Sequence, residues 1–159
     1  MVEPINENSI LKIISEKQLY IHDLINLVFE IKRKFRNGEL DFSALIQPSS
    51  RSAWENLTMM IPYLPRGIIE EHLDQLLEGF MDLNWPGSKI LYGYLAEIDI
   101  QTLKGSFGRV IDQAIEMNDT DWVYFLVVFM TDQRVGMEDY FVHEIEKSHL
   151  FLKHHHIDF

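Results

Sequence analysis

Residues 122–130 read WVYFLVVFM, and the fold class turns on whether this run is a strand or a helix. It is the longest unbroken apolar run in the chain, 9 residues, and apolar on every side. Periodicity alone therefore does not separate a buried strand from a buried helix. Its surroundings do. Asp119 and Thr120, just before it, are helix-capping residues. The segments on both sides repeat their apolar residues at helical spacing, and no partner strand for a sheet is found. The run is expected to be a central buried helix opened by Trp122. A strand of four or more residues inside it would contradict an all-α fold.

Upstream, a helix over 101–117 carries Leu103, Phe107, Val110, Ile111 and Ala114 on one side, and MNDTD breaks it. Downstream, a helix over 136–150 carries Met137, Tyr140, Phe141 and Ile145. The clearest helix is expected over 66–83, where Ile69, Leu73, Leu76, Leu77 and Phe80 form an apolar stripe. The stretch MDLNWPGSKI, 81–90, then reads as a tight helix–helix corner. Asn84 suits a helix end, Pro86 suits the first turn of the next helix, and Trp85 is expected to fold back over both as a structural anchor. The next helix carries Ile90, Leu91, Tyr94 and Leu95. The pairs at 66–97 and 101–131 are offset by roughly 35 residues, the spacing of stacked two-helix repeats.

The N-terminal part reads as two helices. A short one, capped by Asn6 or Asn8, runs through Ile10, Leu11, Ile13 and Ile14; the second spans about 18–36, with Leu24, Leu27, Val28, Ile31 and Phe35 on one stripe. Its last turns carry Lys32, Arg33, Lys34 and Arg36, which complement the helix dipole, and Gly38 stops it. DFSALIQPSSRS reads as a linker, followed by a helix with Trp54, Leu57 and Ile61 that ends near Pro62 and Pro65. The expected organisation is an N-terminal helical extension, 1–43, packed on a main helical domain, 44–150, with a tail, 151–159. A monomer is favoured, with a dimer through the 18–36 stripe as the alternative.

These motifs resemble a known family. LIQPSS, LLEGFMDLNWPGSKIL and NDTDWVYFLV are similar to the pattern of the bacterial family "domain of unknown function 5071". Its signature is a leucine-rich helix ending in Asp-Met-Asn-Trp-Pro and, about 35 residues on, an acidic pair before a Trp that opens an apolar helix. Here these are Asp82-Leu83-Asn84-Trp85-Pro86, and Asp119 and Asp121 before Trp122. The resemblance covers about 44–148. Val123 stands where the family usually has Lys, and Gly79 where it usually has Trp. The resemblance implies stacked antiparallel helix pairs, a HEAT-like α-α superhelix, and brings no catalytic residues. By analogy with small acidic helical proteins near bacterial toxin systems, it also suggests an immunity-like role.

Charge points the same way. The chain of 159 residues carries a net charge of −11. Residues 1–47 hold 7 acids and 6 bases; residues 48–159 hold 18 acids and 8 bases, net −10. Such a surface repels phosphate, so nucleic acid is not an expected partner, and a basic protein is. No apolar run is long enough for a membrane span, no signal peptide is visible, and Cys is absent, so a cytoplasmic protein is expected.

No reactive constellation is found, and no cofactor is expected. Gly105 and Gly108 in KGSFGRV lack phosphate-loop spacing; Gly105 and Ser106 read as loosening or capping a helix start. His143 and His149 in HEIEKSH are too far apart for the paired-His zinc motif. His154, His155 and His156, with Asp158, offer at most an adventitious metal site. The binding candidates are Glu71, Asp74, Glu78 and Asp82, expected on one exposed face of the 66–83 helix. The expected function is a non-enzymatic protein-binding module with an acidic face; the alternative is an enzyme whose site lies between helices.

Overall fold

The computed structural model describes residues 7–47, 50–78 and 88–157. Among these the chain is all-α, with no strand. The elements are α1 (Glu7–Glu16), α2 (Ile21–Arg36), α3 (Arg51–Met60), α4 (Arg66–Glu71), α5 (Leu73–Leu76), α6 (Ser88–Leu95), α7 (Ile100–Glu116), α8 (Thr120–Thr131) and α9 (Val142–His154), with short 3-10 turns at Phe42–Leu45, Ile61–Tyr63 and Glu138–Tyr140. The Asn6 cap, Phe80 and the corner residues Asp82, Asn84, Trp85 and Pro86 lie outside the described residues, as does Asp158. WVYFLVVFM is helical: Asp119 accepts a hydrogen bond from the Trp122 backbone N–H at 3.0 Å and starts α8.

The described residues fall into two compact units. The first runs to His72 and includes 88–91; the second comprises 73–78 and 92–157.

In the first unit, α1 and α2 pack on α3. Ile10 and Ile14 of α1, Leu24, Leu27, Val28 and Ile31 of α2, and Trp54, Leu57 and Met60 of α3 are buried together with Phe42 and Leu45. Those last two correct the linker reading of 41–52. Asp41 caps a helical turn there, accepting from the Ser43 N–H at 3.1 Å, and the turn delivers two core residues. Asn56 of α3 is fully buried; its amide donates to the carbonyls of Ile14 and Lys17, both at 2.8 Å, and its oxygen accepts from the Leu19 N–H at 2.9 Å. These bonds hold residues 17–19 against α3, which is why α2 begins at Ile21 and not near 18. Gly38 ends α2 with φ +69°, a conformation that glycine adopts without strain.

In the second unit, α7 packs against α5, α8 and α9, and α8 against α9. Phe107 stacks on Phe129 at 5.1 Å and lies 5.2 Å from Phe141, while Tyr92 meets Phe129 edge-on at 4.9 Å. The fully buried Trp122 donates from its ring N–H to the Leu77 carbonyl at 3.0 Å. Two ion pairs join residues 35 apart in sequence: Asp74 with Arg109, and Asp112 with Lys147. Both lie within the second unit, the first between α5 and α7 and the second between α7 and α9.

Other helix limits differ from expectation. α9 begins at Val142 and not at 136: Gly136 takes φ +70° and Glu138–Tyr140 form a separate 3-10 turn, so Met137 and Tyr140 precede the helix, and Tyr140 is exposed. α7 starts at Ile100 because Asp99 caps it, accepting from the Thr102 N–H at 3.1 Å. Gly105 and Ser106 are therefore interior to α7 and not at its start; the buried Ser106 hydroxyl lies 3.2 Å from Arg109 Nη2. α9 continues beyond 150 to His154 because Leu152 is fully buried, so the first four residues assigned to the tail are helical.

Candidate binding cleft

The helix expected over 66–83 is broken at His72, where the chain passes from the first unit to the second. The apolar spacing runs through the break, and at His72 the backbone N–H bonds the Ile69 carbonyl, at 3.0 Å, in place of the Ile68 carbonyl that a continuing helix would use. His72 is held by the residues around Phe42. Its ring packs 5.1 Å from Phe42, and Nε2 lies 3.6 Å from the Asp41 carboxylate. The other ring nitrogen, Nδ1, hydrogen-bonds the Ile68 carbonyl at 2.8 Å. A carbonyl only accepts, so Nδ1 carries a proton, and Nε2 is the nitrogen turned to Asp41.

The break divides the acidic stripe. Glu71 is exposed and belongs to the first unit; Asp74 and Glu78, both partly buried, belong to the second. Asp74 is tied up within the chain: Arg109 grips its two oxygens with Nε at 2.8 Å and Nη2 at 3.1 Å. Burial alone would raise the Asp74 pKa. The hydrogen bonds from Arg109 and Ser106 and the Arg109 charge outweigh it, and the carboxyl lies below its ordinary value. Arg109 pairs with Asp74 in the open, so this contact adds little stability. Glu78 has no such relief, and burial pushes its pKa up.

Glu78 makes a pH prediction. A carboxyl whose pKa is raised on folding favours the protonated folded state, so its contribution is present below its ordinary value of 4.5 and is lost as pH rises through the folded value. Glu78→Gln should therefore raise the melting temperature modestly at neutral pH, and the gain should vanish as the pH drops below that range. Melting curves across pH check this; a destabilised variant at neutral pH would contradict it.

Glu71 lines a cleft of about 280 Å³ in the first unit, with Asp41, His72, Phe35, Phe42 and Ile68 among its walls. Two carboxylates and an imidazole thus line one cleft together with Phe35 and Phe42. Asp41 was not among the residues singled out from the sequence. Its signal was its place as an acid two residues before a Ser, a local cap, and nothing in the sequence placed it beside His72.

The remaining sequence candidates lie elsewhere. Asp121 is exposed in the first turn of α8, and Trp122 is in the core. His143 and His149 are exposed on α9. His154, His155 and His156 are exposed at its end, with the His155 ring 4.6 Å from Phe151. Among the described residues no three His, Cys, Asp or Glu side chains converge as metal ligands, and no helix is long and apolar enough to cross a membrane.

In comparison with known proteins, the sequence model of one family, "Domain of unknown function (DUF5071)", matches residues 51–149, more than half of the chain. No curated protein and no solved structure matches it.

Proposed function

The chain belongs to the DUF5071 family, and from that premise we propose that it is a non-enzymatic protein-binding module that presents an acidic face to a basic partner. The observation that carries this reading is the cleft where Asp41 and Glu71, both exposed, flank the His72–Phe42 contact. Exposed carboxylates over an aromatic floor suit a Lys or Arg side chain, whose charge meets the acids while its stem lies on the ring. The net charge of −10 over residues 48–159 adds a long-range field that draws a basic protein in. Of the acidic stripe, Glu71 has this setting; Asp74 is already engaged by Arg109. Stacked helix pairs of the HEAT-like kind offer extended surfaces for such contacts. Neutralisation of a basic toxin in a bacterial cytoplasm is the immunity-like form of the same reading.

The test uses Asp41→Asn with Glu71→Lys. Asn retains the cap on the Ser43 N–H, so the turn at 42–45 is preserved. Against a partner recovered by pull-down, the double variant should lower the association rate about tenfold at low salt and flatten its salt dependence. An unchanged rate and salt slope would overturn the reading.

One observation favours a second reading, an enzyme. His72 is oriented by the Ile68 carbonyl and faces Asp41, an arrangement that suits proton transfer. His72→Gln separates the two: an enzyme would lose turnover while partner association stayed intact.

A further inference from the structure

A second cleft, of about 350 Å³, adjoins the acidic one, and Phe35 and Ile68 line both. Lys32 and Arg36 line this cleft and not the acidic one. Four bases crowd the end of α2, and they are not equivalent. Arg33 pairs with Glu30 and Lys34 with Glu39. Lys32 and Arg36 have no ion-pair partner among the described residues, and these are the two that line the cleft. In the acidic cleft Glu71 likewise has no ion-pair partner among the described residues, and the ionic neighbour of Asp41 is His72. Two bases without an ion-pair partner among the described residues thus line one cleft, two acids line the other, and the apolar Phe35 and Ile68 are common to both.

Resting on the protein-binding reading above, we propose that the two clefts are one peptide groove. Its occupant is a partner segment with an acidic residue, then an apolar one, then a basic one along its length. The acid meets Lys32 and Arg36, the apolar side chain lies on Phe35 and Ile68, and the base meets Asp41 and Glu71. Charge complementarity selects this occupant over a uniformly basic segment, which the α2 end repels. It also fixes the direction of binding, because a reversed segment sets like charges together at both ends.

The probe is a displayed library of random peptides about nine residues long, which reach roughly 30 Å when extended, panned on the full-length chain. Enriched peptides should carry an acid and a base on opposite sides of an apolar residue. Lys32→Glu with Arg36→Glu should replace that acid by a base, leave the second charge unchanged, and weaken the best wild-type peptide about tenfold or more. If this variant fails to fold by circular dichroism, Lys32→Gln with Arg36→Gln should give the same loss.

If charge changes at Lys32 and Arg36 leave both selection and affinity unchanged while Glu71→Lys still weakens binding, the groove is wrong and the acidic-face reading stands. If changes at neither end matter, both fall. Enrichment of uniformly basic peptides overturns the groove. So does a wild-type chain that sediments as a dimer dissociated by the same reversals, since the occupant is then a second copy.

Discussion

Asn56→Ala should lower the stability of the chain by about 3–5 kcal/mol. The side chain is fully buried and makes three hydrogen bonds, to Ile14, Lys17 and Leu19. Each is worth about 1 kcal/mol net, and the Ile14 carbonyl, left unpaired in the core, costs about 1–3 kcal/mol more, while water reaches the part-buried groups of Lys17 and Leu19. The Ile14 and Lys17 carbonyls sit at the end of α1, where helix carbonyls lack partners inside the helix. Asn56→Asp keeps an acceptor for the Leu19 N–H but sets a carboxylate against two carbonyls, so it should be no better tolerated. Chemical denaturation measures the loss, and amide exchange locates it: the Leu19 N–H should lose protection in the Ala variant. A loss below about 1 kcal/mol would mean that water replaces all three bonds and that α1 is not held through Asn56.

Trp122→Ala should cost a similar amount, about 3–5 kcal/mol, the range for a large aromatic removed from a core. The ring is wholly inside the second unit, and its N–H caps the Leu77 carbonyl just beyond the short α5. Trp122→Phe separates the two contributions. It keeps much of the apolar contact and loses the donor, so it should cost about 1–3 kcal/mol. If Phe were neutral and Ala costly, packing alone would explain the residue. If both were neutral, the fully buried position would have no energetic content, contrary to the close packing of protein interiors.

The comparison of these two residues shows where sequence reasoning reaches. Trp122 is legible: an acid that caps, then an aromatic, then an apolar run is a helix start written within four residues. Asn56 is not, because a polar residue one position away from an apolar stripe looks the same whether it meets solvent or three backbone groups of another segment. The same division holds at the cleft. Glu71 was visible as one acid of a stripe, but Asp41 and His72, 31 positions apart, meet only through the fold.

What the amino-acid order settles here is local. The helices are all-α in period, Ser50, Asp99 and Asp119 cap α3, α7 and α8 within three residues of themselves, and Gly38 stops α2. The tertiary structure decided which side chains meet across neighbouring helices, setting Asp74 on Arg109 and Asp112 on Lys147. It also brings His72, where the 66–83 helix breaks, against residues 41 and 42. The apolar stripe Ile69, Leu73, Leu76 and Leu77 continues through His72 without interruption. At the break the His72 ring bonds the nearby Ile68 carbonyl and also meets Phe42 and Asp41, and contacts between residues as distant in sequence as 41 and 72 exist only once the intervening helices have packed.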